Sequence, residues 1–301
     1  MIEVITTVFD EMIAIYAKQI PIMVGLAVLF TLLSIFESQV SSPGKVWWRN
    51  PGLATDICYA LVHAVASRYF KFPVLIVIFF LFSGIMSKGE IQDYFANGRG
   101  PLSGLSFFWQ SVIYLLLTDF LLYWIHRGFH GVTMWKFHAI HHSSEQVDWT
   151  TSYRFHPVNM MLQPTLVAIL MVTLGISPEV FAFFLAWDIL SAAFVHANVN
   201  WTLGPLKYVI ATPVFHRWHH GPADDGGSSN FAPTFSFYDV LFGTFHMPQG
   251  RLPQVFGVDD HEFPQTYLAQ LIYPFKPRPE QPDAAPSKAR RVRTMAEEGM
   301  Q

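Results

Sequence analysis

The sequence predicts an all-α integral membrane protein with about four to five transmembrane helices, and three observations carry that reading. Of 301 residues, 51% are hydrophobic and only 14% are charged, against roughly 25% charged in an ordinary soluble domain. Five stretches are almost free of charge over lengths that approach the ~20 apolar residues a spanning helix needs. Finally, the chain holds 13 histidines, most of them bunched where the apolar stretches end.

The first apolar stretch runs from Gln19 to Phe36, between Lys18 and Glu37. The opening MIEVITTVFDEM is acidic and lacks the basic region of a cleavable signal, so this stretch is expected to remain as an anchor. The second, Phe72 to Ser87, is short alone and gains length by running back through Tyr59 to Ala66. The third, Gly100 to Thr118, continues past Asp119 into FLLYWI. The fourth spans Pro157 to Pro178, and the fifth spans Val180 to Val199 with Asp188 near its middle. The turn Gly175-Ile176-Ser177-Pro178 joins these last two. From Lys276 the chain is proline-rich and charged without apolar periodicity, and is expected to be disordered.

Orientation follows from the basic residues near the span ends. Lys45 and Arg49 follow the first span, and Lys288, Arg290, Arg291 and Arg293 lie in the tail. Placing them in the cytoplasm puts segments 37–53, 126–156 and 201–301 on that side, so the histidine groups share one face as a helical cap. The ending AEEGMQ carries no dilysine-like signal, which points to a bacterial inner membrane rather than the endoplasmic reticulum. A net charge of −3 excludes the basic balance of a nucleic-acid binder. The single cysteine, Cys58, excludes an intramolecular disulfide, a CxxC pair and a thiolate-held iron–sulfur cluster.

The histidines carry the chemistry. Phe-His-x-x-His-His occurs at Phe137–His142 and again at Phe215–His220, whereas one chance His-x-x-His-His is expected only about 0.02 times in such a chain. On a helix, positions i, i+3 and i+4 share a face, so His138, His141 and His142 converge, as do His216, His219 and His220. His126 and His130 form a further His-x3-His pair at the end of the third stretch, and His196 closes the fifth with Asn200 four residues on. His156 opens the turn His156-Pro157, while His63, His246 and His261 are solitary. Eight or nine neutral imidazoles exceed the four to six ligands of one zinc or iron, which predicts a dinuclear site. Asp119 and Tyr123 precede His126 by seven and three residues on its helix face, placed to support a ligating histidine from behind. Asp188 stands similarly before His196. Spacing alone leaves two zincs for hydrolysis and two irons for oxygen chemistry both open. A hydrolase would want a glutamate inside a histidine box, and the nearest acid is Glu145. A metal or haem carrier would want single histidines on facing helices or inside the bilayer.

The run from Asp119 to Pro157, DFLLYWIHRGFHGVTMWKFHAIHHSSEQVDWTTSYRFHP, resembles the core of the fatty acid hydroxylase or sterol desaturase superfamily. Phe194-Val195-His196-Ala197-Asn198, Leu203-Gly204-Pro205-Leu206, Thr212-Pro213-x-x-His216-Arg217-Trp218-His219-His220 and Asp239-Val240-Leu241-Phe242-Gly243-Thr244 match its remaining blocks in order, over roughly residues 105–248. The resemblance implies a non-haem di-iron oxygenase that uses O2 and external electrons to hydroxylate or desaturate a lipid, whether a fatty acyl chain, a sterol or an ether lipid. Zinc is a possible substitute for the iron. It implies His126, His130, His138, His141, His142, His216, His219 and His220 as ligands, with His196 as a further one. Relatives often have a second histidine where this chain has Asn200, and His156 resembles an SR-x-HP element of one subgroup. The implied division is membrane-anchoring helices over 1–104, a catalytic domain over 105–248 and a C-terminal extension over 249–301. Within these residues there is no cysteine cluster, GxGxxG or P-loop, so a separate redox protein or reductase, or a pterin, is the expected electron donor.

Overall fold

In a computed structural model, described over residues 2–36, 42, 44–85, 87–97, 99–260 and 262–276, every regular element is a helix and no strand occurs among the described residues. The tail beyond Lys276, with its basic residues, and His261 lie outside the described residues.

Helix α1 covers Ile2–Phe36, α2 Leu53–Ala66 and α3 Phe72–Ser83. A π-helical turn, Ser67–Lys71, joins α2 to α3. The second apolar stretch is therefore one continuous 31-residue path from Leu53 to Ser83, ended by Gly84, whose φ of +66° suits a residue without Cβ. Helix α4, Lys88–Asn97, was not singled out from the sequence. Helix α5 covers Phe107–Phe129: it starts later than its apolar run because Gly100-Pro101 turns the chain, and it carries Asp119 inside it. The short α6, Trp135–His142, follows, then α7, Pro157–Leu174, and α8, Pro178–His196. Gly175, at φ +77°, caps α7, and the Ser177 hydroxyl accepts from the Val180 N–H to start α8, so the expected turn forms. Helix α9, Pro213–His219, α10, Phe237–Leu241, and α11, Tyr267–Ile272, complete the cap.

Among the described residues five helical segments are long and apolar enough to cross a membrane: Asp10–Phe36, Leu53–Ser83, Phe107–Phe129, Pro157–Leu174 and Pro178–His196. Leu81, Phe108 and Phe183 point outward and are more than half exposed, which suits a bilayer and would be costly in water. Inside, Tyr114 of α5, Val167 and Met171 of α7, and Val180 and Phe184 of α8 form one apolar cluster. The far end is pinned where Gly100 meets Gly175 so closely that a Cβ on either would strike the other's backbone. At the opposite end Phe30 of α1 stacks on Trp149, which packs with Ala193 and Ala197. The cap is tied to α2 by a buried ion pair: the Arg154 guanidinium donates to the Asp56 carboxylate at 2.6 Å, and the Thr150 hydroxyl donates to the same carboxylate. Arg217, buried in α9, donates to the Val147 carbonyl, Asn198 Oδ1 and the Ser42 hydroxyl. These two arginines fix the cap over the ends of the long helices.

Candidate metal centre

Nine histidines converge into two groups. His126, His130, His138, His142 and His219 form one; His141, His196, His216 and His220 form the other, and within each group the ligand atoms all lie within 4.8 Å of one another. All but the half-buried His130 are buried. Six sit on α6 and at α9, where the four-residue periodicity places them, and the ends of α5 and α8 contribute the rest.

The spacing fits metal ions. His126 Nε2 and His138 Nε2 are 3.0 Å apart, His141 and His196 Nε2 3.1 Å, His196 and His216 Nε2 3.0 Å, and His216 and His220 Nε2 3.3 Å. A metal 2.0–2.1 Å from each nitrogen sets neighbouring ligands about 3 Å apart. Nε2 of His130, His142 and His219 are buried without a hydrogen-bond partner among the described residues, a costly state unless something is bound there.

The far sides of the rings are held by backbone carbonyls. His126 Nδ1 faces the Phe231 carbonyl and His219 Nδ1 the Ser229 carbonyl, both at 2.6 Å; His196 Nδ1 faces the Ala192 carbonyl at 2.6 Å and His141 Nδ1 the Arg154 carbonyl at 3.2 Å. A carbonyl can only accept, so each Nδ1 carries the proton and each Nε2 keeps its lone pair for a metal. The Asn159 amide stands 3.1 Å from His138 Nδ1 through Nδ2 while its Oδ1 has no partner. Turning the amide over gives His138 the same tautomer. Burial drives the histidines outside the long helices, His130, His138, His141, His142, His216, His219 and His220, well below the ordinary histidine pKa, so they are neutral at pH 7.

Asp119 supports this arrangement one step further back than expected. Its two oxygens accept from the backbone N–H groups of Thr234 and Phe235 at 2.8 Å, fixing the loop rather than a histidine ring. Asp239 does the same for the N–H groups of Phe231 and Ala232, also at 2.8 Å, and accepts from the Thr244 hydroxyl at 2.6 Å. Burial pushes the Asp239 carboxyl up to about 6. Tyr123 lies on this chain of contacts: its hydroxyl accepts from Arg127 and pairs with Thr244. Between the two supporting carbonyls stands Asn230, at φ +59°, its side chain bonded to the backbone of Phe215 and His246. Asparagine is among the few side chains that tolerate this backbone region, and that is the one local signal that would have exposed it in the sequence.

Two expectations are corrected. His156 lies outside both groups: its Nδ1 accepts from the Val158 N–H to cap α7, and its Nε2 faces the Leu271 carbonyl, so both ring nitrogens are used. Asp188 does not support His196, whose own helix supplies Ala192; it lines a cavity together with Lys71. Asn200 falls four residues beyond the end of α8 and is not among the residues lining the cavity. The cavity, about 360 Å³, is lined by His126, His138, His141, His196 and His216 at one end and reaches between α5, α7 and α8.

A family model for fatty acid hydroxylases matches residues 111–244, the segment that supplies all nine converging histidines. Over this segment the chain is similar to the fatty acid hydroxylase family. It is 33% identical over 211 residues to an ornithine lipid hydroxylase of Rhizobium tropici, covering 64% of this chain and 63% of that one. It is 34% identical over 151 residues to the human alkylglycerol monooxygenase, covering 50% and 33%. It is 26% identical over 181 residues to a Δ7-sterol 5(6)-desaturase of Gibberella zeae, covering 59% and 49%. The chain spans less than two thirds of the length of each of these relatives. No solved structure matches it.

Proposed function

We propose that the protein is a membrane-bound lipid hydroxylase or desaturase whose two histidine groups hold two non-haem irons. The carrying observation is that both groups line one cavity that runs into the apolar helices. A lipid entering from the bilayer therefore meets both groups without crossing water. The relatives named as acting on ornithine lipids, alkylglycerols and sterols support a lipid substrate. Bound iron would supply oxidation of an unactivated C–H bond by O2, with electrons from a separate donor. The chain's own part is to keep nine imidazoles neutral and aimed, to leave room beside them, and to keep bulk water away with walls such as Phe155, Val167 and Val195. Lys45 and Arg49, which follow the first span, support a centre that faces the cytoplasm.

The test is metal content per chain in the detergent-purified protein beside a His141→Ala, His219→Ala double variant, followed by O2-dependent oxidation of a lipid extract. About two irons per chain, largely lost in the variant, are expected. Zinc in their place would call for reconstitution with iron, since zinc accepts the same imidazoles. No stoichiometric metal after reconstitution would overturn the assignment.

A further inference from the structure

The cavity has a second polar end. Lys71, the last residue of the π-helical turn, and Asp188, midway along α8, both line it and stand close enough for their charges to attract. No ion pair within 4.0 Å joins them. Asp188 lies eight residues before His196, which is roughly 12 Å along the helix axis. It also lies about 15 Å from the start of α8, near the middle of a spanning helix. Charges at that depth are expensive, and they persist where they pair with one another or with a ligand. Two opposite charges needed only to neutralise each other would close to contact. Here an ammonium donor and a carboxylate acceptor instead face a common lumen, with the Ser191 hydroxyl and the Gln163 amide lining it as well.

We infer that Lys71 and Asp188 form a substrate subsite that grips an uncharged donor–acceptor group, a hydroxyl or secondary amide, on a lipid chain whose reacting carbon lies on the order of 12 Å away at the histidines. The ammonium donates to the group's oxygen and the carboxylate accepts its O–H or N–H. The group is uncharged because the pair sums to zero, and a net charge added at this depth would stay uncompensated. This rests on the reading of the cavity as the lipid site and adds to it which lipid atoms are recognised. A plain hydrocarbon chain would leave both charges without partners, and sites of this kind reject such ligands strongly.

Trp187, next to Asp188, also lines the cavity and reports on occupancy. The experiment titrates the full chain in detergent with 5-bromododecanoyl ethanolamide and with methyl 5-bromododecanoate, whose bromine lies near the gripped end of the chain, reading tryptophan quenching that is absent in Trp187→Phe. The ethanolamide is expected to bind on the order of tenfold tighter, as one or two hydrogen bonds to charged groups require. Lys71→Met and Asp188→Asn should each shrink that ratio to about twofold by weakening the ethanolamide alone, with metal content unchanged to show that the variants are folded. Equal binding of the two probes to the native chain, or a ratio that survives both substitutions, would overturn the subsite. If the native chain shows the preference but takes up no metal, the metalloenzyme reading fails and the subsite stands.

Discussion

Helices α6 and α9 carry the same Phe-His-x-x-His-His motif yet feed the two histidine groups in opposite senses. In α6 the i and i+4 rings, His138 and His142, join the group of five, and the i+3 ring, His141, joins the group of four. In α9 His216 and His220 join the group of four, and His219 crosses to the group of five. One helical turn thus serves two sites, because residues three and four apart straddle the helix face. The asymmetry comes from the long helices. Helix α5 brings His126 and His130 to one group, whereas α8 ends at His196 and brings a single ring to the other. Three of the four rings in the smaller group line the cavity, against two of five in the larger. The smaller group is the more open to a substrate and the less tolerant of losing a ligand.

The largest expected effect tests that difference directly. His196→Ala leaves three imidazoles in the smaller group, and metal content should fall from about two to about one per chain. His130→Ala leaves four in the larger group, and content should stay near two. Equal losses in both variants, measured by elemental analysis after iron loading, would erase the distinction between the groups.

The two groups also differ in what stands behind them. The loop of residues 229–235 supplies backbone carbonyls to His126 and His219, both of the larger group, and Asp239 holds that loop by two hydrogen bonds, from the N–H groups of Phe231 and Ala232. Asp239→Ala should therefore weaken one metal about 10–100-fold, the usual range for such supporting residues, and leave the other unchanged. A chelator titration should turn biphasic. Uniform weakening of both metals would mean that the loop acts through the whole cap.

Acid should act on both groups alike. The seven histidines driven below their ordinary pKa stay neutral in the folded protein, while in the unfolded chain they take up protons as pH falls through about 6.5. The unfolded state then binds more protons, so stability rises with pH in this window and is lost on acidification. Each such histidine contributes up to about 1.4 kcal/mol per pH unit. The apparent melting temperature of the metal-free protein in detergent should be flat from about pH 8 to 7 and fall steeply below about 6.5. Metal uptake at pH 7 should release almost no protons, which calorimetry in two buffers measures.

The sequence shows the ligands far better than their supports, and the reason is physical. Ligation needs particular side chains at helical spacing, which leaves a pattern, and the long apolar runs between charges leave another. The supports at Phe231, Ser229, Ala192 and Arg154 are backbone carbonyls, which any residue could supply. Asp119 stood out because an acid in an apolar helix is expensive, but its partners, the N–H groups of Thr234 and Phe235, lie more than a hundred positions away. Lys71 drew no notice because the π-helical turn that carries it has no sequence signature of its own. Along the helix the nearest histidine to Asp188 is His196, whereas in the structure Asp188 lines the cavity together with Lys71 of the π-helical turn.

The smallest expected effect separates two meanings of a histidine near the centre. His156 ends the same polar segment as the ligands, but its Nδ1 accepts from Val158 and its Nε2 faces Leu271. A ring with both nitrogens engaged has no lone pair for a metal. His156→Ala should then cost about 1 kcal/mol, the ordinary value of a lost helix cap, with metal content unchanged. His156→Asn, which restores a capping acceptor, should recover most of that loss. A fall in metal content in the alanine variant that the asparagine variant does not repair would return His156 to the coordination sphere. It would then have to act after leaving the α7 cap, and the contrast between ligands held by carbonyls and histidines that merely cap would need redrawing.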